Sequence, residues 1–159
     1  MTRGERRDFV LDSGAITALA NDDKLLDGYR RMLGNAIAGS LHIASPVMSE
    51  VHTGKAEYDA LVNRMVNRIS RPGVKVYIPS TLETDMRAGE LRFLAQKALD
   101  DLGPRKPGDE ITGVDAQIVA IAERRSLLCA VTIVTTDLVH MNALAAATGA
   151  KNLEVETPS

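Results

Sequence analysis

Four acidic residues of this chain have the positions expected of a shared metal-binding site. Asp12 and Asp137 each follow an apolar run with the character of a strand, and Glu50 and Asp115 lie near the predicted starts of helices. Four carboxylates brought together repel one another, and a divalent cation between them relieves that repulsion. Their oxygen atoms suit Mg²⁺ or Mn²⁺, whereas no cluster of Cys or His residues favours Zn²⁺. The simplest function for such a site is metal-dependent cleavage of a phosphodiester bond.

Each of these acids also has an ordinary structural explanation. Asp12 and Asp137 stand where a carboxylate caps the amino end of a helix. Asp115 follows Thr112 by three residues, which is the spacing of a capping box, and Glu50 has the character of a solvated helix carboxylate. The occurrence of all four acids at such positions favours a shared metal-binding site, because parallel strands bring their carboxyl ends to one rim of a sheet.

Five short apolar runs alternate with helical patterns along the chain. Strands separated by helices predict crossover connections, a parallel sheet and helices on both of its faces. We therefore expect one domain over residues 1–159, with a three-layer α/β/α fold around a central, five-stranded, mainly parallel sheet. The expected strands cover 9–11, 41–44, 74–78, 131–135 and 153–155.

Capping residues predict where the helices between these strands begin and end. We expect a helix from about Ala15 to Gly39, and Ser45 as the cap of the next helix with Pro46 as its first residue. An apolar stripe predicts a helix between Ala56 and Ile69. Thr81 and Thr112 are expected to cap two further helices, and Gly149 to end the last one.

Composition narrows the classes of function. No apolar run approaches the roughly 20 residues that span a bilayer, and the polar start does not resemble a signal peptide, so we expect a cytoplasmic protein without membrane contact. The net charge of −2 excludes a strongly basic nucleic-acid binder. With no Trp, two Phe and three Tyr, any bound nucleic acid must be held mainly through its backbone. The single cysteine, Cys129, excludes both an internal disulfide and a Cys-based metal site.

Four segments resemble the motifs of PIN-domain nucleases. The run Phe9-Val10-Leu11-Asp12-Ser13 is similar to their first strand and first acid, and Pro46-Val47-Met48-Ser49-Glu50-Val51 to their second acidic motif. Val114-Asp115-Ala116-Gln117 resembles their Asp-Ala helix start, and Ile133-Val134-Thr135-Thr136-Asp137 their strand ending in Thr-x-Asp. Order and spacing agree along nearly the whole chain, which is similar in size to VapC-like toxins of toxin–antitoxin pairs.

The resemblance implies a Mg²⁺- or Mn²⁺-dependent endoribonuclease. Asp12, Glu50, Asp115 and Asp137 would be its catalytic and metal-binding residues, and water would attack the RNA phosphate in line. The resemblance also implies a cognate antitoxin protein as partner and a homodimer.

One position departs from the family pattern. The family often has Ser, Thr or Asn two residues after the first acid, and this chain has Gly14 there. Gly14 offers no side-chain hydrogen bond, whereas Ser13 and Thr135 can still orient a carboxylate or contact a phosphate oxygen.

Some charged residues near these motifs are further candidates. Arg87 and Arg92, on the helix after the third strand, could hold RNA phosphates, and Glu90 could add a fifth carboxylate. His140 lies three residues after Asp137 and can face the site, although a partly exposed helix residue is the simpler interpretation.

Two other functions compete with this reading. One is a different α/β phosphoryl-transfer protein, such as a receiver domain or a haloacid-dehalogenase-like phosphatase. The phosphatase needs an Asp-x-Asp motif, but Asp12 is followed by Ser13 and Gly14. The other is a catalytically silent PIN-like domain that serves as a binding module, which the presence of all four acids disfavours.

Overall fold

A computed structural model describes residues 6–33, 41–69 and 75–159 of this 159-residue chain. Within them lie five strands, each of which overlaps one of the five apolar runs. They are β1 (Arg7–Leu11), β2 (Leu41–Ala44), β3 (Lys75–Ile78), β4 (Ala130–Val134) and β5 (Leu153–Glu156). The part of the third run that falls on Val74 lies outside the described residues.

Seven helices connect or follow these strands in the described residues. They are α1 (Ser13–Asn21), α2 (Asp23–Leu33), α3 (Ser45–Val51), α4 (Ala56–Ile69), α5 (Leu82–Leu102), α6 (Gly113–Ser126) and α7 (Leu138–Thr148). Thr81 caps α5, Thr112 caps α6, and Gly149 ends α7 with a φ of 68°. The expected caps and the expected end of the last helix are therefore confirmed, because polar side chains or a left-handed glycine satisfy the free backbone groups there.

Two expectations about helix boundaries were wrong. The helix expected from Ala15 is two helices, because Asp22 adopts an extended backbone and its carboxylate accepts hydrogen bonds from the N–H groups of Lys24 and Leu25. Such a side-chain bond starts a new helix. Ser45 is the first residue of α3 and not its cap, since Ala44 takes the cap position without a side-chain hydrogen bond. The end of the expected helix, at 34–39, lies outside the described residues.

The sheet has the strand order β3-β2-β1-β4-β5, and every neighbouring pair is parallel. Connections between parallel strands are almost always right-handed. The chain moves from β1 toward β3 and later from β4 to β5 in the opposite direction, so the helices between β1 and β3 cover one face and those after β3 the other. The expected α/β fold with a parallel sheet is confirmed, and the strand order reverses between β1 and β4.

The core lies on both faces of the central strands. β2 is buried at every position and β1 and β4 at all but their first, while the edge strand β5 alternates between half-buried and exposed residues. Continuous burial explains why the central runs are apolar throughout. α6 packs against both α5 and α7, and the largest fully buried side chains include Leu11, Ile43, Ile118, Ile133 and Met141.

A buried ionic cluster joins the beginning of β1 to β2 and α6. The Asp8 side chain is inaccessible to solvent. Its carboxylate lies 2.6 Å from Nε of Arg125, 3.0 Å from Nε2 of His42 and 3.1 Å from Nε of Arg6. A buried carboxylate is tolerated when it is paired and hydrogen-bonded in this way. His42 is therefore a structural residue.

Candidate metal centre

The four predicted acids belong to four different parts of the fold. Asp12 directly follows β1, and Asp137 follows β4, its neighbour in the sheet. The backbone N–H of Asp12 donates to the carbonyl of Val134 at 3.1 Å, so the two strand ends remain in register up to the site. Open α/β sheets keep their binding crevice where the strand order reverses, at the carboxyl ends of such strands.

Asp12 is both a helix cap and a member of the acidic site. Its Oδ1 atom accepts a hydrogen bond of 2.7 Å from the backbone N–H of Ala15 in the first turn of α1. Its Oδ2 atom accepts one from the hydroxyl group of Thr135. Although only 4% of Asp12 is exposed, no cation among the described residues pairs with it.

Burial raises the pKa of the Asp12 carboxyl group above its usual value. The hydrogen bonds from Thr135 and Ala15 stabilise the charged form and oppose this rise, while the negative charge of Asp137 adds to it. The donors around Asp12 therefore do not fully compensate its buried charge.

Asp137 caps α7 and is bound to a histidine. Its Oδ1 atom accepts from the backbone N–H of His140 at 3.2 Å, and its Oδ2 atom lies 2.9 Å from Nδ1 of the same histidine. Its own N–H donates to the Thr135 hydroxyl oxygen at 2.9 Å. Thr135 therefore connects the two strand-end acids Asp12 and Asp137 through one hydroxyl group.

Asp115 completes the cluster from α6. The backbone N–H of Asp115 donates a 3.1 Å hydrogen bond to the hydroxyl oxygen of Thr112, and this bond fixes the first turn of α6. The pKa of Asp115 is raised to about 6, first by burial and then by the negative charges of Asp12 and Asp137. This dependence on its neighbours means that the three carboxylates form one electrostatic unit.

Glu50 is more exposed to solvent than the other three acids. It is exposed and lies about one turn into the seven-residue helix α3, of which it is the second-last residue. Its negative charge nevertheless contributes to the raised pKa of Asp115, after the two aspartates. Glu50 is therefore close enough to the cluster for its charge to act on Asp115.

His140 belongs to the site more clearly than its sequence position suggested. It is 9% exposed, and one of its ring nitrogens lies within 4.8 Å of a carboxylate oxygen of both Asp115 and Asp137. A histidine three residues after a helix-capping acid can face that acid on the helix surface. That spacing was the available signal, and only the packing of α7 against α6 brings Asp115 into reach.

The remaining candidates differ in their contacts. The Thr135 hydroxyl group is buried between two acids, whereas Ser13, the first residue of α1, is half-buried. Arg87 is bound by Glu123 and Glu90 at 2.9 Å each, so neither its charge nor that of Glu90 is directed at the cluster.

Arg92 donates from Nε to the carbonyl group of Ile111. Two of the basic residues considered for phosphate binding, Arg87 and Arg92, thus have local structural partners.

None of the helices in the described ranges is long and apolar enough to cross a membrane.

No protein-family model and no curated protein sequence matches this chain. Its fold is nevertheless similar to that of several solved chains. A chain of the VapBC2 complex from Rickettsia felis, bound to promoter DNA, has a TM-score of 0.61 at 17% identity, with 96% of this chain and 99% of that chain covered. A chain of FitAB bound to a DNA fragment has a TM-score of 0.60 at 17% identity, with 94% of each chain covered.

A third similarity comes from a DNA-bound VapBC of Salmonella typhimurium, at a TM-score of 0.59 and 14% identity, with 96% of this chain and 98% of that one covered. The chain has the PIN-domain fold. At these identities the likeness concerns the fold.

Proposed function

We propose that this PIN-fold chain is a metal-dependent endoribonuclease that acts as the toxin of a VapC-like toxin–antitoxin pair. The observation that supports this most directly is the cluster of Asp12, Asp115 and Asp137. Burial and mutual repulsion raise the pKa values of Asp12 and Asp115, and no lysine or arginine among the described residues pairs with either carboxylate. An external cation is the missing component of such a site.

The donor set fits a divalent metal ion. Asp12, Asp115 and Asp137 offer carboxylate oxygens, the type of ligand that Mg²⁺ and Mn²⁺ prefer. Glu50 can add a fourth carboxylate from the solvent side, directly or through water. A bound Mg²⁺ or Mn²⁺ would supply Lewis-acid chemistry, lowering the pKa of an attacking water molecule and neutralising charge on the RNA phosphate.

The other residues of the site hold these ligands in place. Thr135 donates to Asp12 and accepts from the N–H of Asp137, so one buried hydroxyl group fixes the spacing of two acids. Such supporting hydrogen bonds typically change metal affinity or activity by about 10- to 100-fold when they are removed. No side chain is required as a nucleophile, because water attacks the phosphorus atom.

The proposed partners are an RNA substrate, a cognate antitoxin and a second copy of this chain. The VapBC and FitAB complexes, which share the fold, were solved on DNA. By analogy, the antitoxin of this chain would bind promoter DNA and cover the acidic site. Leu138 and Val139 are exposed directly after Asp137 and offer an apolar edge for such a segment.

Cleavage of total bacterial RNA by the purified protein in Mg²⁺ or Mn²⁺ tests the proposal. We expect discrete fragments that disappear with EDTA and with Asp12→Asn. Asp101→Asn is the matched control, since Asp101 is an exposed aspartate on α5 outside the cluster. End-mapping of the fragments would identify the RNA and its cleavage sequence.

The alternative is a silent PIN-like binding module. A folded protein that binds Mn²⁺ but cleaves no RNA in this assay would support that module and contradict the nuclease.

A further inference from the structure

Gly14 and Thr136 approach each other so closely that position 14 has no room for a side chain. Gly14 lies in the first turn of α1, and Thr136 lies in the short connection between β4 and α7. A Cβ atom on Gly14 would stand 2.1 Å from Oγ1 of Thr136 and 3.3 Å from its Cβ atom. Rotating the threonine side chain would move Oγ1 but leave the second close contact. The Thr136 hydroxyl group therefore occupies the space of a side chain at position 14.

This hydroxyl group lies close to Asp12, one of the acids of the cluster. Oδ1 of Asp12 lies 3.5 Å from the same Cβ position on Gly14. Thr136 is exposed, and within the described part of the chain its hydroxyl group has no hydrogen-bond partner. The hydroxyl group of its neighbour Thr135, in contrast, is buried and used internally by Asp12 and Asp137.

The position of Thr136 is fixed by its neighbours in the chain. Thr135 is anchored through its N–H to the carbonyl group of Glu156 at 2.9 Å, and Asp137 begins α7 as its cap. A donor held in advance at a reaction site needs no reorganisation when a charged group arrives. The backbone on both sides of Thr136 is thus anchored, and the Thr136 hydroxyl group is an unused donor close to a carboxylate that we assign to the metal centre.

We infer that Thr136 is a substrate-contacting residue, which donates a hydrogen bond to a non-bridging oxygen of the RNA phosphate, and that Gly14 is required to admit it. The inference rests on the proposed function and names a residue that recognises its substrate. Hydrogen bonds to charged groups are among the stronger ones in proteins. The hydroxyl group that a side chain at position 14 could have carried is supplied from the carboxyl end of the neighbouring strand β4.

Removing the hydroxyl group while keeping the shape tests the contact. We expect Thr136→Val to lower kcat/KM for RNA cleavage about tenfold and to weaken RNA binding in Ca²⁺ by a similar factor. Thr136→Ser should retain most of the wild-type kcat/KM and most of the wild-type affinity for RNA. Thr157→Val is the control, because Thr157 is an exposed threonine beyond β5. Wild-type values for Thr136→Val would overturn the inference.

Moving the hydroxyl group from one residue to the other tests the pairing. Gly14→Ser alone should lower Tm by roughly 2 to 10 °C, because its Cβ atom collides with Thr136. Adding Thr136→Gly should restore Tm and raise RNA affinity above that of Thr136→Gly alone. A Gly14→Ser protein with unchanged Tm, or a double variant no better than Thr136→Gly, would contradict the pairing.

RNA binding in Ca²⁺ and RNA cleavage in Mg²⁺ or Mn²⁺, measured side by side, separate this inference from the proposed function. RNA that binds in Ca²⁺ but is never cleaved in Mg²⁺ or Mn²⁺ contradicts the nuclease, and the ratio of wild-type to Thr136→Val affinity still decides the contact. Cleavage by wild type and Thr136→Val at equal rates contradicts the contact and leaves the nuclease standing. A wild-type protein that neither binds nor cleaves RNA overturns both.

Discussion

Two buried aspartates at opposite ends of β1 have opposite electrostatic surroundings. Asp8, in the second position of the strand, is bound by Arg125, His42 and Arg6. Asp12, just after the strand, is nearly as buried, but its partners are a hydroxyl group and backbone N–H groups. The charged groups that act on Asp12 are other carboxylates.

The difference separates an acid with a structural role from one whose charge a metal ion would compensate in the proposed function. At Asp8 the protein itself supplies the compensating charge, so the cluster stabilises the contact between the sheet and α6. At Asp12 hydrogen bonds orient the carboxylate without neutralising it, and its pKa is raised by burial. A group held in an unfavourable charged state is a common feature of functional sites.

Matched replacements at the two ends of β1 give the largest expected contrast. Without metal, Asp8→Asn should lower the free energy of unfolding by about 3 kcal/mol, because two arginines lose their buried partner. Asp12→Asn should leave it unchanged or raise it, since the cost of burying an uncompensated charge disappears. Urea unfolding in EDTA measures both. Strong destabilisation by Asp12→Asn would make Asp12 a purely structural cap.

A bound metal ion should reverse the penalty at Asp12. At a Mn²⁺ concentration of about 100 times Kd, the folded wild-type protein should gain about 2.7 kcal/mol by mass action. Thermal unfolding with and without Mn²⁺ measures this gain. Asp8→Asn should gain as much unfolding free energy from Mn²⁺ as the wild-type protein, although its stability without metal is lower. Asp12→Asn should gain little. An equal shift in all three proteins would place the metal elsewhere.

His140 adds a possible nitrogen ligand to a cluster whose other possible ligands are carboxylate oxygens. Nitrogen ligands favour Mn²⁺ over Mg²⁺ more than carboxylates do. His140→Gln should therefore weaken Mn²⁺ binding about tenfold and Mg²⁺ binding by less, as measured by calorimetry. If both affinities fall by the same factor, His140 acts only by orienting Asp137.

The raised pKa of Asp115 predicts a smaller effect on stability. Its folded pKa of about 6 lies above the ordinary value of 3.8, so the folded state binds the proton more tightly. Between about pH 4 and pH 6 the metal-free protein should thus lose stability as pH rises. We expect a loss of about 1 kcal/mol, allowing for the partial exposure of Asp115.

Urea unfolding in EDTA at pH 4.5 and pH 7.5, compared with Asp115→Asn, measures this loss. The variant should show a flatter pH dependence, because it has no carboxyl group to titrate at this position. A wild-type protein that gains stability over the same interval relative to the variant would contradict the raised pKa.

Local sequence predicted the regular elements well where one physical rule dominated. The apolar runs became strands because central parallel strands are buried on both faces. Thr81, Thr112 and Gly149 marked helix ends through capping chemistry that involves only neighbouring residues. The break at Asp22 was missed because several polar residues compete there for one cap position. The role of Ala44 was missed because the helix α3 begins one residue earlier than its cap-type residue Ser45 suggested.

The sequence by itself determined which acids are available, and that Asp12 and Asp137 follow strands. Strand order and helix packing decided the rest: they put Asp12 and Asp137 side by side, brought Asp115 in from α6, and added His140. Tertiary structure alone also placed the Thr136 hydroxyl group over Gly14. The physical reason is that caps and strand burial depend on near neighbours, whereas charge repulsion and steric exclusion depend on distances between remote segments.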